Sequence, residues 1–358
     1  MAVGYLAYRR RRNRSAQRYR NVQQVFAALD LGTNNCRLLV AKPDFDGFRV
    51  IDAFSRIVRL GEGIGTTGLL SESAMRRTIE ALRVCAQKLE RRSVTHMRAV
   101  ATEACRRAGN CAEFLQRVKL QTGIELEIIS TKEEARLALA GCAPLLDHDI
   151  PHALVFDIGG GSTEVSWLEV GGIGQPGLGE NAIQASQSMP LGVITLAERY
   201  GGQCINQTSY AAMKRDVMNS LSDFPNQVAL AKITAAGQLQ MLGTSGTVTT
   251  LAGVHKCLPR YDRAKVDGCY LGFDTVEDVS RQIAAMSFDQ RSSHPCIGKD
   301  RADLVVAGCA ILAALCDRWP VGRLRVADRG LREGILVSLM QRGEQADGVV
   351  VRHPRPVA

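Results

Sequence analysis

The feature that most constrains the fold is a hairpin with an aspartate at its mouth, which occurs twice. In the first copy, apolar segments at 25–29 and 37–41 flank the polar turn DLGTNN, which begins at Asp30. In the second copy, segments at 153–156 and 165–168 flank DIGGGSTE, which begins at Asp157. Each segment has the length and composition of a β-strand. More than a third of the chain separates the copies, far beyond the period of a solenoid repeat, so the sequence predicts duplication of a half-molecule.

The segments between and after the hairpins predict an α/β protein. Strands at about 49–54, 97–101 and 126–129 alternate with helices at about 71–91, 112–122 and 131–143. Ser71 is predicted to cap the first of these helices. In the second half, helices are predicted near 194–200, 209–221, 276–285, 302–317 and 331–341. The Gly- and Gln-rich stretch 171–187 is predicted to be a surface loop or insertion. Such alternation is typical of α/β domains.

Length and charge divide the chain into two lobes and two tails. A chain of 358 residues is suited to two domains. The formal net charge is +9, but the first 24 residues hold seven arginines and no acid, so the remainder is nearly neutral. We therefore expect a basic, disordered tail at 1–24, a first lobe at 25–136, a second lobe at 137–330 and a tail at 343–358. The helix at about 331–342 could pack back on the first lobe. The basic tail is expected to be solvated, with tethering to a polyanion as the alternative.

Cysteine usage and hydropathy predict a cytoplasmic protein. Eleven cysteines are scattered without a CxxC pair, which indicates neither a disulfide framework nor a zinc site. A reducing compartment fits this pattern. The strongest apolar run, at 304–315, is too short to span a membrane, and the start of the chain lacks the pattern of a secretory signal. We expect no membrane partner and no specific nucleic-acid partner.

Both hairpin turns have the composition of phosphate-binding loops. Gly32, Thr33, Asn34 and Asn35 form the first turn, and the second contains Gly159, Gly160, Gly161, Ser162 and Thr163. Glycine lets backbone N–H groups approach an anion closely. Asp157 could face a divalent cation. A structural Asx turn is the alternative for one such turn alone, but two turns facing each other would hold a phosphate chain from both sides.

Other glycine-rich segments occur outside the hairpins. A third candidate loop contains Ser245, Gly246 and Thr247, between a short apolar segment and a helix start, where anions bind. A plain turn with a helix cap is the alternative there. GIGTTG at 63–68 matches the dinucleotide fingerprint, but its helix signal begins only at Ser71. The sequence contains no GxxxxGK[ST] motif, which argues against a P-loop hydrolase.

Two glutamates and two arginines are the candidates for the chemical step. If Ser130 caps the helix that follows, Glu133 completes a capping box and Glu134 is free to project into the cleft. A cap at Thr131 would exchange these roles, so spacing alone does not identify the base. Hydrolysis of a phosphoanhydride needs a carboxylate for water and cations for phosphate oxygens. Arg106 and Arg301 are the candidate cations, because the guanidinium fork grips phosphate.

Many of these segments together resemble the exopolyphosphatase/guanosine pentaphosphate phosphohydrolase (Ppx/GppA) family. The resemblance runs from about 26 to 340 and rests on DLGTNN, VRLGEGIGTTGLLS, ATEACRRAGN, IISTKEEARLA, FDIGGGSTEV, MPLGVITLAERYG, GTSGTVTTLAG and DRGLREGIL. It implies the duplicated ribonuclease-H-like fold of actin, hexokinase and Hsp70, with the active site between two lobes. The turn reads Asn-Asn where relatives have Asn-Ser, and the helix opens STKEEAR where SGxEEAR is usual. The chain is similar to the short form of the family, without the extra helical domains.

The resemblance also implies roles for individual residues. Glu134 matches the catalytic base, and Asp157 and Glu164 match acids that organise Mg²⁺ and the attacking water, so Glu164 is expected to be both catalytic and metal-binding. The glycine-rich turns match phosphate loops, and Arg106 and Arg301 match basic residues on the substrate path. A homodimer is left open.

The expected substrate is inorganic polyphosphate, which would lose terminal orthophosphate. The alternative is pppGpp, which would lose its 5′-γ-phosphate to give ppGpp, a reaction of the stringent response. A sugar-type kinase of the same fold is disfavoured, because no acceptor-sugar motif is evident. A non-catalytic protein that binds polyphosphate or nucleotides is disfavoured because the loops and acids are intact.

Overall fold

The first lobe is built on a five-stranded mixed sheet. The computed structural model describes residues 24–45, 47–170, 182–202 and 207–345. The strands of this sheet are β1 (Phe26–Leu31), β2 (Asn35–Asp44), β3 (Gly47–Ile57), β4 (His96–Ala101) and β5 (Glu127–Ile128). Their order is β3-β2-β1-β4-β5. The β1–β2 and β2–β3 pairs are antiparallel, whereas β4 runs parallel to β1 and to β5. The helices of this half are α1 (Ile64–Thr67), α2 (Glu72–Arg91), α3 (Glu103–Arg107), α4 (Cys111–Thr122) and α5 (Thr131–Cys142).

The second lobe repeats this sheet with one strand added. Its strands are β6 (His152–Ile158), β7 (Thr163–Glu169), β8 (Ile183–Met189), β9 (Leu239–Thr244), β10 (Tyr270–Gly272) and β11 (Arg323–Ala327), in the order β10-β11-β9-β6-β7-β8. Strands β6, β7, β8, β9 and β11 correspond to β1, β2, β3, β4 and β5 in both order and direction. The predicted duplication of an α/β half-molecule is confirmed.

Helices cover the second sheet and close the chain. They are α6 (Val193–Arg199), α7 (Gln207–Leu221), α8 (Gln227–Ala235), α9 (Gly246–His255), α10 (Arg263–Val266), α11 (Phe273–Ala285), α12 (Phe288–Ser293), α13 (Val305–Arg318) and α14 (Leu331–Gln345). No helix in the described ranges is both long and apolar enough to cross a bilayer.

Period-two burial explains how each sheet carries helices on both faces. In β1, Ala27 and Leu29 pack with α2 and α4, whereas Phe26 and Ala28 pack with α14. The last helix therefore packs against the first sheet. Helix α5 lies between the lobes, because Leu137 belongs to the α14 cluster while Leu139 and Cys142 pack with the second sheet. The boundary that we placed at 136/137 falls inside this helix.

The structure differs from the sequence predictions mainly in short or weakly patterned elements. Strand β8 occupies 183–189, part of which was predicted as loop; its alternation of buried and exposed residues is carried by small and polar side chains. Positions 171–181 of that loop, and the predicted tails at 1–23 and 346–358, lie outside the described residues. Also unpredicted are α1, α3, α10, β10 and β11, each of at most five residues, and the longer α8 and α12, of nine and six residues. Helix α1 does begin within the GxGxxG glycines, but it has only four residues.

Candidate active site

Loops from both lobes line one cavity of about 430 Å³. Loop 1 (32–35) joins β1 to β2, loop 2 (159–162) joins β6 to β7, and loop 3 (244–247) leads from β9 into α9. The start of α5 adds Glu134. The cavity thus lies at the mouths of the two predicted hairpins, between the lobes.

Loops 1 and 2 share one backbone design and touch each other. In loop 1 the Gly32 N–H donates to the Asn35 carbonyl at 2.9 Å, and in loop 2 the Gly159 N–H donates to the Ser162 carbonyl at 2.9 Å. A Cβ at Gly161 would lie 2.8 Å from Thr33 Oγ1, which is too close for any side chain. The glycines are therefore required for the two turns to face each other across the cleft, as the sequence analysis expected.

Thr163 occupies a different place from the one expected. It was expected beside the phosphate, but its side chain is fully buried and its hydroxyl donates to the Leu191 carbonyl at 2.7 Å. It does not line the cavity. Because β7 begins at this residue, its side chain points into the lobe, and loop 2 contributes Gly159, Gly160, Gly161 and Ser162 to the cavity instead.

Loop 3 brings together a helix start and a partly buried arginine. Ser245 is the N-cap of α9, and its Oγ accepts from the N–H groups of Thr247 and Val248 at 3.1 Å each. Arg301 lies beside Gly246 and donates from Nη1 to Thr250 Oγ1 at 3.1 Å. Burial and the nearby Arg37 lower the pKa of Arg301. An anionic phosphate beside Arg301 would offset the cost of burying its positive charge.

Glu134 is placed as the acid that projects into the cavity. Ser130 caps α5, accepting from the Glu133 N–H at 3.2 Å, so the N-cap is Ser130 and not Thr131. The Glu133 carboxylate does not complete the expected capping box, since it accepts from Arg98 Nη2 at 2.7 Å instead. Glu134 turns inward, where it lines the cavity.

Arg106 is bound to the acids rather than exposed to the cavity. Its Nη1 donates to Glu134 Oε2 at 2.7 Å and to the Ile129 carbonyl at 3.0 Å. Its Nη2 donates to Glu103 Oε2 at 3.0 Å. The expectation that Arg106 binds substrate directly does not fit this geometry, because its Nη1 and Nη2 groups already donate to protein oxygens. Its position is that of a group that orients Glu134.

Burial and the charges of neighbouring acids raise the pKa values of the carboxyl groups in the cleft. Burial and then the charge of Glu164 raise the pKa of Glu134, against the opposing effect of Arg106. Burial and the charge of Glu134 raise the pKa of Asp157 to about 7. Burial also raises the pKa of Glu164, although Ser162 and Ser188 donate to its Oε1 at 2.6 and 2.8 Å. Perturbed acids in a cleft are typical of a catalytic site.

This set of donors fits a hard divalent cation. Asp157 and Glu164 supply carboxylate oxygens, and the buried Asn34 Oδ1 accepts no hydrogen bond within the described residues. Those residues do not include a cluster of three or more His, Cys, Asp or Glu side chains able to hold a metal ion by themselves. Mg²⁺ is commonly held by one or two carboxylates together with water and substrate phosphates, so a partial protein site is the expected form.

Several cavity residues were not assigned by the sequence analysis. They are Asp30, Arg37, Glu103, Tyr261 and Arg332. Asp30 was noted only as the mouth of the first hairpin, although burial raises its pKa as it does that of its counterpart Asp157. The duplication of the hairpins could have indicated Asp30 as a site residue, because it is the equivalent of Asp157. Arg332 and Tyr261 had no such signal, because they reach the cavity only through tertiary packing.

Comparison with known proteins places most of the chain in one family. The model of the Ppx/GppA phosphatase family matches residues 39–343. Exopolyphosphatase 2 of Mycobacterium tuberculosis is 28% identical over 326 residues, which cover 87% of this chain and 98% of that protein. The crystal structure of the Aquifex aeolicus Ppx/GppA family member superposes with a TM-score of 0.71 at 27% identity, covering 90% of this chain and 99% of that one. An exopolyphosphatase structure from Cytophaga hutchinsonii gives a TM-score of 0.77 at 24% identity, covering 89% and 98% of the two chains.

Proposed function

The chain belongs to the Ppx/GppA phosphatase family, and from this premise we propose that it removes terminal orthophosphate from inorganic polyphosphate. It is a hydrolase of phosphoanhydride bonds. Its two-lobe fold is the duplicated ribonuclease-H-like fold expected from the sequence. The substrate and the role of each residue are the parts that we propose.

One observation carries the choice of a polyanionic substrate. Three arginines that line the cavity, Arg37, Arg301 and Arg332, form no ion pair with any residue in the described ranges. Two of them are buried deeply enough that their pKa values are lowered. Buried cations are costly unless they are paired. A phosphate chain held between loops 1 and 2 would supply the missing negative charge.

The chain's own residues account for the hydrolytic step. Backbone N–H groups of loops 1 and 2 bind the terminal phosphate and hold it against the acids. Glu134, oriented by Arg106, accepts a proton from the attacking water as the new O–P bond forms. The bond from that phosphorus to the bridging oxygen breaks, and the shortened chain leaves with the electron pair. Arg37 and Arg301 bind the remaining phosphates.

Mg²⁺ is the proposed cofactor, with Asp157 and Glu164 as its carboxylate ligands. When bound, it would neutralise charge on the phosphate oxygens. Glu164 keeps a fixed orientation through Ser162 and Ser188. A cytoplasmic location and a homodimer remain proposals that rest on the sequence alone.

Phosphate release, measured in parallel on four substrates, tests the proposal. The substrates are long polyphosphate, tripolyphosphate, pppGpp and ATP, each with Mg²⁺ and with EDTA. We expect Mg²⁺-dependent release from polyphosphate and little from ATP. Release from pppGpp with none from either polyphosphate would assign the alternative substrate, and release from none of the four would reject hydrolysis of these substrates.

Hydrolysis of pppGpp is a second candidate because the cavity contains an aromatic side chain. The Tyr261 hydroxyl donates to Asp328 Oδ2 at 2.6 Å, and both residues line the cavity near loop 3. An aromatic ring offers a surface on which a guanine base can stack. Tyr261→Ala should therefore lower release from pppGpp about tenfold or more and leave release from tripolyphosphate unchanged. Equal effects on both substrates would exclude a base-binding role.

A further inference from the structure

The two lobes are joined across the cleft by an ion pair that belongs to neither phosphate loop. Arg59 of the first lobe donates from Nη1 to Asp303 Oδ2 at 2.7 Å and from Nη2 to Asp303 Oδ1 at 2.9 Å. Nη2 also donates to the Asp300 carbonyl at 3.1 Å. Both side chains are partly buried, with 30% and 17% of their surfaces exposed. Two parallel bonds between a guanidinium and a carboxylate fix orientation as well as distance.

On the first-lobe side, Arg59 is tied directly to loop 1. The N–H groups of Val58 and Arg59 both donate to the Asn34 carbonyl, at 2.8 and 3.0 Å, and the Gly61 N–H donates to the Thr33 carbonyl at 3.0 Å. A Cβ at Gly61 would lie 2.3 Å from Thr33 Cγ2, so the two segments are in direct contact. A displacement of Arg59 therefore moves loop 1.

The backbone at Arg59 is itself strained. Its φ of 48° lies in the left-handed region that non-glycine residues rarely adopt. Such a conformation persists only where surrounding contacts enforce it. Arg77 supplies some of those contacts, since its guanidinium donates to the Val58 carbonyl at 3.1 Å and to the Arg59 carbonyl at 3.4 Å. The segment is thus built to present the Arg59 guanidinium to the opposite lobe.

On the second-lobe side, Asp303 shares a turn with Arg301. The Arg301 carbonyl accepts from the N–H groups of Leu304 and Val305, at 3.0 and 2.9 Å, and α13 begins at Val305. Asp303 therefore lies inside the same hydrogen-bonded turn as the arginine that lines the cavity. A second contact between the lobes lies nearby, where the Gly63 N–H donates to Glu198 Oε1 at 3.0 Å.

We propose that the Arg59–Asp303 ion pair is an interlobe latch that sets the distance between loop 1 and Arg301. It is a positioning pair for the reaction, since neither residue lines the active-site cavity. Loop 1 and Arg301 can hold one phosphate chain together only when the lobes stand at the correct separation, a role that rests on the proposed function. When the pair opens, the lobes can separate to admit substrate and release product. When the ion pair forms, loop 1 and Arg301 return to the separation at which both can contact one phosphate chain.

Amide hydrogen exchange and a mutant cycle test the latch in the full chain. Arg59→Gln and Asp303→Asn each remove the ion pair. The double variant lacks the same single interaction. We expect each single variant to speed exchange in peptides covering 31–36 and 298–306, without added substrate, and to lower kcat/KM for tripolyphosphate about tenfold. The double variant should be no worse than either single one, because the same interaction is lost.

The control is Arg281→Ala. Arg281 pairs with Glu277 and Asp278 on the surface of α11, within a single helix. It should change neither exchange in those peptides nor kcat/KM. Unchanged exchange in both single variants, or losses of kcat/KM that multiply in the double variant, would overturn the latch. If the wild-type protein hydrolyses neither long polyphosphate nor tripolyphosphate, the proposed function fails, while the exchange measurement still decides whether the latch exists.

Discussion

At the scale of single residues, two adjacent glutamates at the start of α5 have different environments. Glu133 pairs with Arg98 on the outside of the helix, and Glu134 pairs with Arg106 beside the cavity. At Glu134, burial and then the charge of Glu164 raise the pKa of the carboxyl group. The helix begins after Ser130, whose Oγ accepts from the Glu133 N–H, as the first of the two alternatives required.

We predict that Glu134→Gln lowers turnover by about 10²–10⁴-fold, because glutamine keeps size but removes the base. Phosphate release and polyphosphate binding measured separately should show lost turnover with retained affinity. Glu133→Gln is the matched control. Arg98 keeps its bonds to Glu127, so this variant should lose less than about 1 kcal/mol of stability and remain active. If the Glu134→Gln protein is active and the Glu133→Gln protein is inactive, then Glu133 and not Glu134 is the base.

The two candidate arginines should have different kinetic effects. The Arg301 side chain makes one hydrogen bond to the described residues, to Thr250, so most of its guanidinium donors are available to substrate. Arg301→Ala should raise KM for polyphosphate about 10- to 100-fold, with a smaller effect on kcat. Arg106→Ala should instead reduce kcat, because it leaves Glu103 and Glu134 without their shared cation. Steady-state kinetics on tripolyphosphate separate the two parameters, and equal rises in KM would return Arg106 to the substrate path.

Sequence motifs identified which residues gather at the site more reliably than what each side chain contacts. The glycines of loops 1 and 2, Glu134 and Asp157 all line the cavity as expected. Thr163 and Arg106 carry the right chemical groups in the right motifs, yet both are engaged by neighbouring protein atoms. Composition cannot show whether a polar group is already satisfied, since that depends on partners distant in sequence.

At the scale of elements, glycines let α5 and α14 pack backbone against backbone. A Cβ at Gly334 would lie 1.8 Å from the Leu137 carbonyl oxygen, and one at Gly141 would lie 2.0 Å from the Gly330 carbonyl oxygen. Neither oxygen can move without moving its helix. The close approach holds α5, and with it Glu134, against the last helix of the chain.

We predict that Gly334→Ala destabilises the protein by about 3 kcal/mol or more, since the new methyl group forces the two helices apart. Urea unfolding measures the change in free energy. Gly65→Ala is the control, because a Cβ there meets no atom within 4 Å, and its effect should stay within about 1 kcal/mol. A Gly334→Ala protein as stable as wild type would show that the helix contact can relax.

Element prediction succeeded where periodicity was long and failed where it was short. Helix α2 follows its predicted range with the expected Ser71 cap, because twenty residues repeat the helical pattern. Strands β10 and β11 span three and five residues, too few for a period to be visible. Strand β8 escaped detection because its inward-facing positions include the small Ala185 and the polar Gln187, which weaken the alternation of apolar and polar residues.

At the scale of the whole molecule, the duplicated hairpins specified both the fold and the location of the site. Equivalent strands place both aspartates at the same end of their sheets, so Asp30 and Asp157 must meet where the lobes meet. The relative placement of the lobes could not be predicted from motifs. It depends on contacts such as Arg59–Asp303 and on α14, which crosses back to the first lobe.

The raised pKa values of the buried acids make stability depend on pH. Burial and the charge of Glu134 raise the pKa of Asp157 from 3.8 to about 7 in the folded protein. The folded state therefore binds a proton that the unfolded state has lost across this range, so the contribution of Asp157 is fully present below about pH 4 and is lost as the pH rises through about 7. The raised pKa values of Glu134 and Glu164 act in the same direction.

We predict that Mg²⁺ stabilises the protein more at pH 8.5 than at pH 6, because it binds ionised carboxylates and offsets their mutual repulsion. Mg²⁺ at about 100 times its Kd should add about 2.7 kcal/mol at the higher pH. Thermal unfolding in Mg²⁺ and in EDTA at both pH values measures the difference. Asp157→Asn should remove most of the Mg²⁺ effect and raise the stability of the EDTA-treated protein at pH 8.5. Equal stabilisation at both pH values would mean that Mg²⁺ binds elsewhere than at these carboxylates.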